Sequence, residues 1–290
     1  VIKGGTLTVS SLANNVGTEY GALGDVKKSI TIGNNAVLAV NATTTSSQRI
    51  IVEEGDATIQ VPSGVTFTQN GSLRGEGRMV NKTGTGTLVL GTSVDFDRLV
   101  ISGGAVDAQL NTATNVALPE TVEFRGGTLN DPNNQNAYAT NPTNFVVPEG
   151  RSGTLLCDPR CTYTGKLTGS GTFTVIAGGV RGYFNGDWSQ FEGTIVPGLQ
   201  KRGSYDATFN ITNSKGMGKA TMRLNNGVSV SNEDPDSKKG KSYDVQIGNV
   251  IGTGTLTGKG KYILGVNDQN INVTFSSSSP IVKRGSGWMI

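Results

Sequence analysis

Lys82-Thr83-Gly84-Thr85-Gly86-Thr87-Leu88-Val89-Leu90 sets two glycines, one residue apart, directly ahead of a run that alternates between its two faces. The run reads as a β-strand of period two, with Leu88 and Leu90 on the inward face and Thr87 and Val89 on the outward one. The glycines ahead of it mark a sharp corner. Looser copies follow as Gly75-Glu76-Gly77-Arg78-Met79, Gly169-Ser170-Gly171-Thr172-Phe173-Thr174-Val175, Gly252-Thr253-Gly254-Thr255-Leu256-Thr257 and Gly285-Ser286-Gly287-Trp288-Met289-Ile290. Those at 84, 169 and 252 lie roughly 80 to 85 residues apart, which is the signature of a repeat architecture.

Composition agrees with that reading. Of 290 residues, 42 are glycine, about twice the usual ~7% share and without the three-residue period of collagen. Each glycine inside a helix costs roughly 1 kcal/mol relative to alanine, so long helices are not expected. Working outward, the same grammar of strand and tight turn recurs. Gly4-Gly5-Thr6-Leu7-Thr8-Val9, Ser29-Ile30-Thr31-Ile32 with its turn Gly33-Asn34-Asn35, and Ala57-Thr58-Ile59-Gln60-Val61 are examples. Asn and Gly tolerate the left-handed corner conformation.

Short strands with regular turns suit either an antiparallel sandwich or a parallel β-helix. The equivalent slots held by Leu7/Val9, Leu88/Leu90 and Phe173/Val175 favour the helix, because like residues then stack in ladders from coil to coil. With ~20 to 25 residues per coil and ~4.8 Å between coils, about a dozen coils and a length on the order of 60 Å are expected.

Three stretches break the grammar and are expected to project as loops: 130–144, the cysteine loop 157–161, and 231–242. Their Pro, Asn, Asp and Lys residues cannot fill an apolar core slot. Cys157 and Cys161 are the only cysteines. A disulfide closing the small Asp158-Pro159-Arg160 loop is the favoured reading over two thiols, and implies an oxidising compartment. The densest aromatic cluster, Tyr183-Phe184-Asn185-Gly186-Asp187-Trp188-Ser189-Gln190-Phe191, admits two readings. Tyr183 and Trp188 are candidate stacking platforms for a glycan; the favoured alternative buries the rings at a corner.

Lys82 to Leu90 and Val282-Lys283-Arg284-Gly285-Ser286-Gly287-Trp288-Met289-Ile290 resemble the autotransporter-associated β-strand repeat, Lys-x-Gly-x-Gly-x-Leu/Trp-x-Leu. The later part of that repeat is similar to Ile2-Lys3-Gly4-Gly5-Thr6-Leu7-Thr8-Val9 and to Phe191-Glu192-Gly193-Thr194-Ile195. The resemblance spreads over most of the chain and is weakest over 105–165. It implies a right-handed parallel β-helix, one segment over 1–290, on a secreted or surface-displayed protein of a Gram-negative bacterium. It also implies a stalk or adhesive scaffold, and supplies no catalytic residues.

The chemistry absent from the sequence narrows the function further. The chain holds no histidine, which removes Ser-His-Asp and Cys-His nucleophiles and histidine metal sites. The Gly-x-Gly units precede strands, whereas phosphate cradles use a helix N-terminus, so they read as turns. No cofactor or metal is expected. A net charge of +3 is too small and dispersed for a nucleic-acid partner. No apolar run reaches the ~18 residues of a membrane span. Val1 opens no signal peptide, so the chain reads as a fragment of a longer secreted protein.

Parallel β-helices also include polysaccharide hydrolases, which work with paired carboxylates, and lyases, which pair carboxylate-bound calcium with an Arg or Lys base. Asp95 and Asp97 would share one strand face, and Glu233-Asp234-Pro235-Asp236 near Lys238 is the nearest approach to a calcium-and-base arrangement. The favoured reading of both is a solvated face or loop. The expected function is a non-catalytic extracellular scaffold or adhesin-like passenger segment, facing extracellular glycans or matrix. A carbohydrate-active enzyme is the alternative. End-to-end self-association through open sheet edges is a further expectation.

Overall fold

A computed structural model describes all residues except 13–19, 22, 26, 93, 109–117, 132–139, 158–160, 179–181, 201–207, 235–239 and 272–273. It is all-β, with parallel sheets stacked as a β-solenoid of about ten turns. The sequence spacing suggested about a dozen. The difference lies in turn length: Ser152, Thr172, Thr194, Thr221 and Asn249 stand in register on successive turns, and the last two steps are longer than the first two. The chain divides into two compact units, Val1–Pro132 and Asn133–Ile290.

In the first unit, alternation places apolar residues inward and parallel pairing brings them into line. Leu7, Leu38, Ile59, Lys82, Ile101 and Phe124 form one inward ladder, residue above residue. Ala57, Val80, Leu99 and Val122 form a second, and Phe67, Leu88, Val106 and Leu129 a third on another sheet. All of these are buried except the half-buried Leu7. Each fully buried aliphatic side chain contributes roughly 1.5 to 3 kcal/mol relative to exposure.

Leu88 and Leu90 point inward and Thr87 is partly exposed, as read from the sequence. Val89 lies on the outward face but is only 5% exposed. Thr68 and Asp107 stand in register with it on the two adjacent turns, and at ~4.8 Å per turn such neighbours cover a small side chain.

The second unit is built on two long parallel stacks. One runs through Ser152–Cys157, Thr172–Gly178, Thr194–Gln200, Met217–Leu224, Val245–Gly252, Tyr262–Leu264 and Ile281–Lys283. The other includes Cys161–Tyr163, Gly182–Phe184, Phe209–Ile211, Ser229–Ser231 and Thr255–Thr257. Its core is aromatic. Phe145, Tyr163, Phe173, Phe184, Trp188 and Phe209 make a continuous series of ring contacts with centroids 4.3 to 6.2 Å apart.

Candidate functional site

The Gly-x-Gly corner follows the same backbone plan in both units. In the first, Gly86 N–H donates to Val61 O at 2.9 Å, and Thr87 N–H donates to Val65 O at 3.0 Å on the preceding turn. In the second, Ser170 and Gly171 N–H both donate to Val147 O at 3.0 Å, and Thr172 N–H donates to Arg151 O at 2.9 Å. Gly84 and Gly169 adopt φ of +76° and +100°. A Cβ at Gly84 would sit 2.3 Å from Val61 O, and one at Gly169 2.1 Å from Val147 O. Only glycine satisfies both demands, the left-handed conformation and the close approach.

These units are therefore corners hydrogen-bonded to the turn before them, as their position ahead of strands suggested. The partner surface went unread in the sequence. It is the turn Val61-Pro62-Ser63-Gly64-Val65, with counterparts Val147-Pro148-Glu149-Gly150-Arg151 and Leu224-Asn225-Asn226-Gly227-Val228. Each closes on itself, through Val65 N–H to Pro62 O, Arg151 N–H to Pro148 O, and Val228 N–H to Asn225 O. A Pro/Asn-x-Gly signal one turn upstream of each Gly-x-Gly would have revealed it.

The first glycine of each corner presents a carbonyl that needs a donor, and four corners meet the need in three ways. Lys82 Nζ donates to Gly84 O at 2.8 Å. Glu192 N–H donates to Gly169 O at 2.9 Å. Thr274 Oγ1 donates to Gly252 O at 2.6 Å. Lys283 Nζ donates to Gly285 O at 3.0 Å and also to Arg284 O. Lys82 is 0% exposed, and burial holds its ammonium down to about 8.

The carboxylates of the enzymatic alternative are placed as follows. Asp95 and Asp97 are both exposed on one face of Val94–Ile101, with Phe96 buried between them. Arg74 stands in register with Asp95 on the preceding turn. Asp97 Oδ1 accepts from Gly77 N–H at 2.9 Å, and the register of Leu73–Thr83 shifts there, between Gly75 and Met79. The Asp97 carboxylate thus caps a bulge. Nearby, the buried Glu123 binds Arg98 Nη1 at 3.2 Å and Arg125 Nε at 2.5 Å. Among the described residues, no group of three or more Cys, Asp or Glu is arranged to hold a metal ion.

Tyr183 and Trp188 do not form a platform. They are 6% and 1% exposed, so neither ring offers a face to a glycan. Trp188 packs against Phe173 and Phe184 and donates Nε1–H to Gly165 O at 3.3 Å. Beside it, Asp187 accepts from Ser189 Oγ at 2.6 Å and pairs with Lys215 Nζ at 2.9 Å. The Ser189 hydroxyl first, and then Lys215, hold the Asp187 carboxyl down to about 2. This charged turn fixes the corner that buries the indole.

The three expected loops are shorter at their described ends. Residues 130 and 131 belong to the strand Thr128–Asp131, and 140 and 141 to Thr140–Asn141. Residues 132–139 lie outside the described residues. The stretch 231–242 leaves and returns through an antiparallel bridge between Glu233 and Ser242, and Lys259 Nζ lies 3.7 Å from Glu233 Oε1. Pro235, Asp236 and Lys238 are outside the described residues. Cys157 ends the strand Ser152–Cys157 with a buried side chain, its Sγ 3.2 Å from Ile176 O. No disulfide is found among the described residues; the expected Cys157–Cys161 bridge falls on residues 158–160 and the Cys161 side chain, which lie outside them.

Among the described residues, no helix is long and apolar enough to cross a membrane. In comparisons with known proteins, no family model matches the chain. No curated protein and no solved structure matches it either.

Proposed function

We propose that this chain is a non-catalytic extracellular scaffold: an adhesin-like passenger segment on the surface of a Gram-negative bacterium, or secreted by one. It would space a neighbouring module from the cell or display a face to extracellular glycans or matrix. The observation that supports the reading is where the polar chemistry of the chain is spent. Lys82, Thr274, Asp97 and Asp187 each bind a corner, a bulge or a turn. The β-solenoid then satisfies its backbone hydrogen bonds from turn to turn and leaves the outward positions free to vary.

The test is surface labelling of intact host cells with an antibody against this chain, with protease shaving as its control. Labelling without permeabilisation is expected; labelling that requires permeabilisation would refute the extracellular assignment.

The enzymatic alternative draws on one observation, the shared outward face of Asp95 and Asp97 with Arg74 beside Asp95. A screen of plant, algal and host polysaccharides for new reducing ends or unsaturated products separates the two. No turnover is expected. Turnover that Asp95→Ala abolishes would replace the scaffold reading with a carbohydrate-active one.

A further inference from the structure

Lys82 stands inside an apolar ladder, directly between Ile59 on the preceding turn and Ile101 on the following one. Its partners are all backbone carbonyls: Thr83 O at 3.0 Å, Gly84 O at 2.8 Å and Gly103 O at 3.1 Å. An ammonium has three N–H donors, so all three are matched. That completeness makes the burial tolerable, because a buried cation with an open donor costs several kcal/mol.

Two of the acceptors belong to the lysine's own corner and the third to the next turn. Around them, Ser102 N–H donates to Lys82 O at 2.9 Å and Ala105 N–H donates to Gly86 O at 3.2 Å. Gly84 O, between these two points, receives its hydrogen bond from Lys82 Nζ.

Register is a real problem at this place. A one-residue slip between turns would turn the apolar face outward and is opposed by the whole core. A slip of two residues keeps the apolar face inward, and Ile59 and Ile101 would accept other aliphatic neighbours. The turns also meet through the corner glycines Gly84, Gly86, Gly103 and Gly104, which bring no side chain of their own to key one turn to the next.

We propose that Lys82 is a tethered cation that pins the register of these two turns. The three carbonyls form a cage for a small primary ammonium, and the lysine supplies that ammonium covalently. A two-residue slip carries Gly103 O roughly 6 to 7 Å away and leaves a buried, open N–H. The pin thus penalises the one misalignment that the apolar pattern allows.

The test uses Lys82→Ala and Lys82→Met in the full chain, read by hydrogen exchange and thermal unfolding. In both variants the amides of Ser102 and Ala105, which bridge the two turns, are expected to exchange about tenfold faster or more. The amide of Thr194 in the second unit is expected to keep its rate. Methylammonium chloride is expected to restore part of the lost midpoint of Lys82→Ala by filling the emptied cage. Tetramethylammonium chloride, which has no N–H, should not, and neither salt should rescue Lys82→Met, whose side chain fills the space.

Two results would each overturn the proposal: wild-type exchange at Ser102 and Ala105 in Lys82→Met, or equal rescue of Lys82→Ala by the two salts. If Lys82→Ala does not fold in plain buffer, recovery of the folded state in methylammonium but not in tetramethylammonium is the expected result. Equal recovery, or none in either salt while Lys82→Met folds with wild-type exchange, counts against the pin.

Discussion

The corner at 82–86 and the corner at 167–171 have the same backbone plan and opposite side chains at the first position. Lys82 and Leu167 are both fully buried, and both precede a left-handed glycine pressed against the turn before it. What separates them is the source of one hydrogen bond. Gly169 O is reached by the Glu192 amide of the next turn, so the inward position is free to be apolar. Gly84 O has Lys82 Nζ, and a residue without a donor would leave the carbonyl without this partner. A repeat position that looks degenerate in sequence is therefore dictated locally, by what the next turn offers.

That difference predicts a ranked set of effects. The largest separates inward from outward positions of the corner strand. Leu88→Asp is expected to cost about 4 kcal/mol or more, because an unpaired carboxylate would enter the core. Thr87→Asp, one residue away on the outer face, should cost under about 1 kcal/mol. Urea unfolding measures both, and equal costs would undo the assignment of faces.

Next comes Leu167→Lys, with an expected loss of about 3 to 5 kcal/mol, since the ammonium would enter an apolar slot where Gly169 O already accepts the Glu192 amide. A loss no greater than that of Leu167→Met would mean the two corners are interchangeable and the comparison fails. Gly84→Ala and Gly169→Ala should each lose about 1 to 3 kcal/mol from the left-handed backbone alone, with the nearby carbonyl adding to it. Similar losses at both sites would confirm that the backbone plan is shared; a neutral Gly169→Ala would show that it is not.

The smallest effect is a pH dependence confined to the first corner. Burial holds Lys82 at about 8, below the 10.5 of an exposed lysine. Between those values the unfolded chain binds more protons than the folded one, so stability rises with pH through the window. Below about 8 both states are charged and the burial penalty is felt in full. Wild type should therefore become more stable relative to Lys82→Met between about pH 8 and about pH 10. The Tyr262 phenol, pushed upward chiefly by burial, opposes the trend at the top of this range in both proteins and cancels in the difference. A flat difference would mean that the carbonyl cage fully offsets the cost of burying the charge.

The two units also differ in how their cores are filled. The first stacks aliphatic ladders, and the second runs a series of aromatic contacts from Phe145 to Phe209. The dense aromatic stretch around Tyr183 and Trp188 admits a stacking platform or a buried corner as sequence, with the buried corner favoured because rings more often pack than bind. The inward ladder resolves it: Phe173, Phe184 and Trp188 fill one interior, and burying such rings gains more than exposing them. The carboxylates were ambiguous for a related reason. Alternation alone put Asp95 and Asp97 on one face, but the capping of Gly77 by Asp97 depends on the bulge between Gly75 and Met79, which no local pattern announces.

By itself the sequence determined the short strands and their glycine corners, and favoured the β-solenoid over a sandwich. Period-two alternation and recurrent Gly-x-Gly corners are local signals, and glycine's freedom at positive φ makes them legible residue by residue. It also set which way Leu88 and Leu90 face. Only the tertiary structure decided what lies one turn away: the Pro/Asn-x-Gly turn beneath each corner, the burial of Trp188, the role of Asp97, and above all the place of Lys82. Its three acceptors lie one, two and twenty-one residues along the chain. Only the stacking of turns brings the last of them within reach, and so a lysine becomes the one ammonium of an inward ladder.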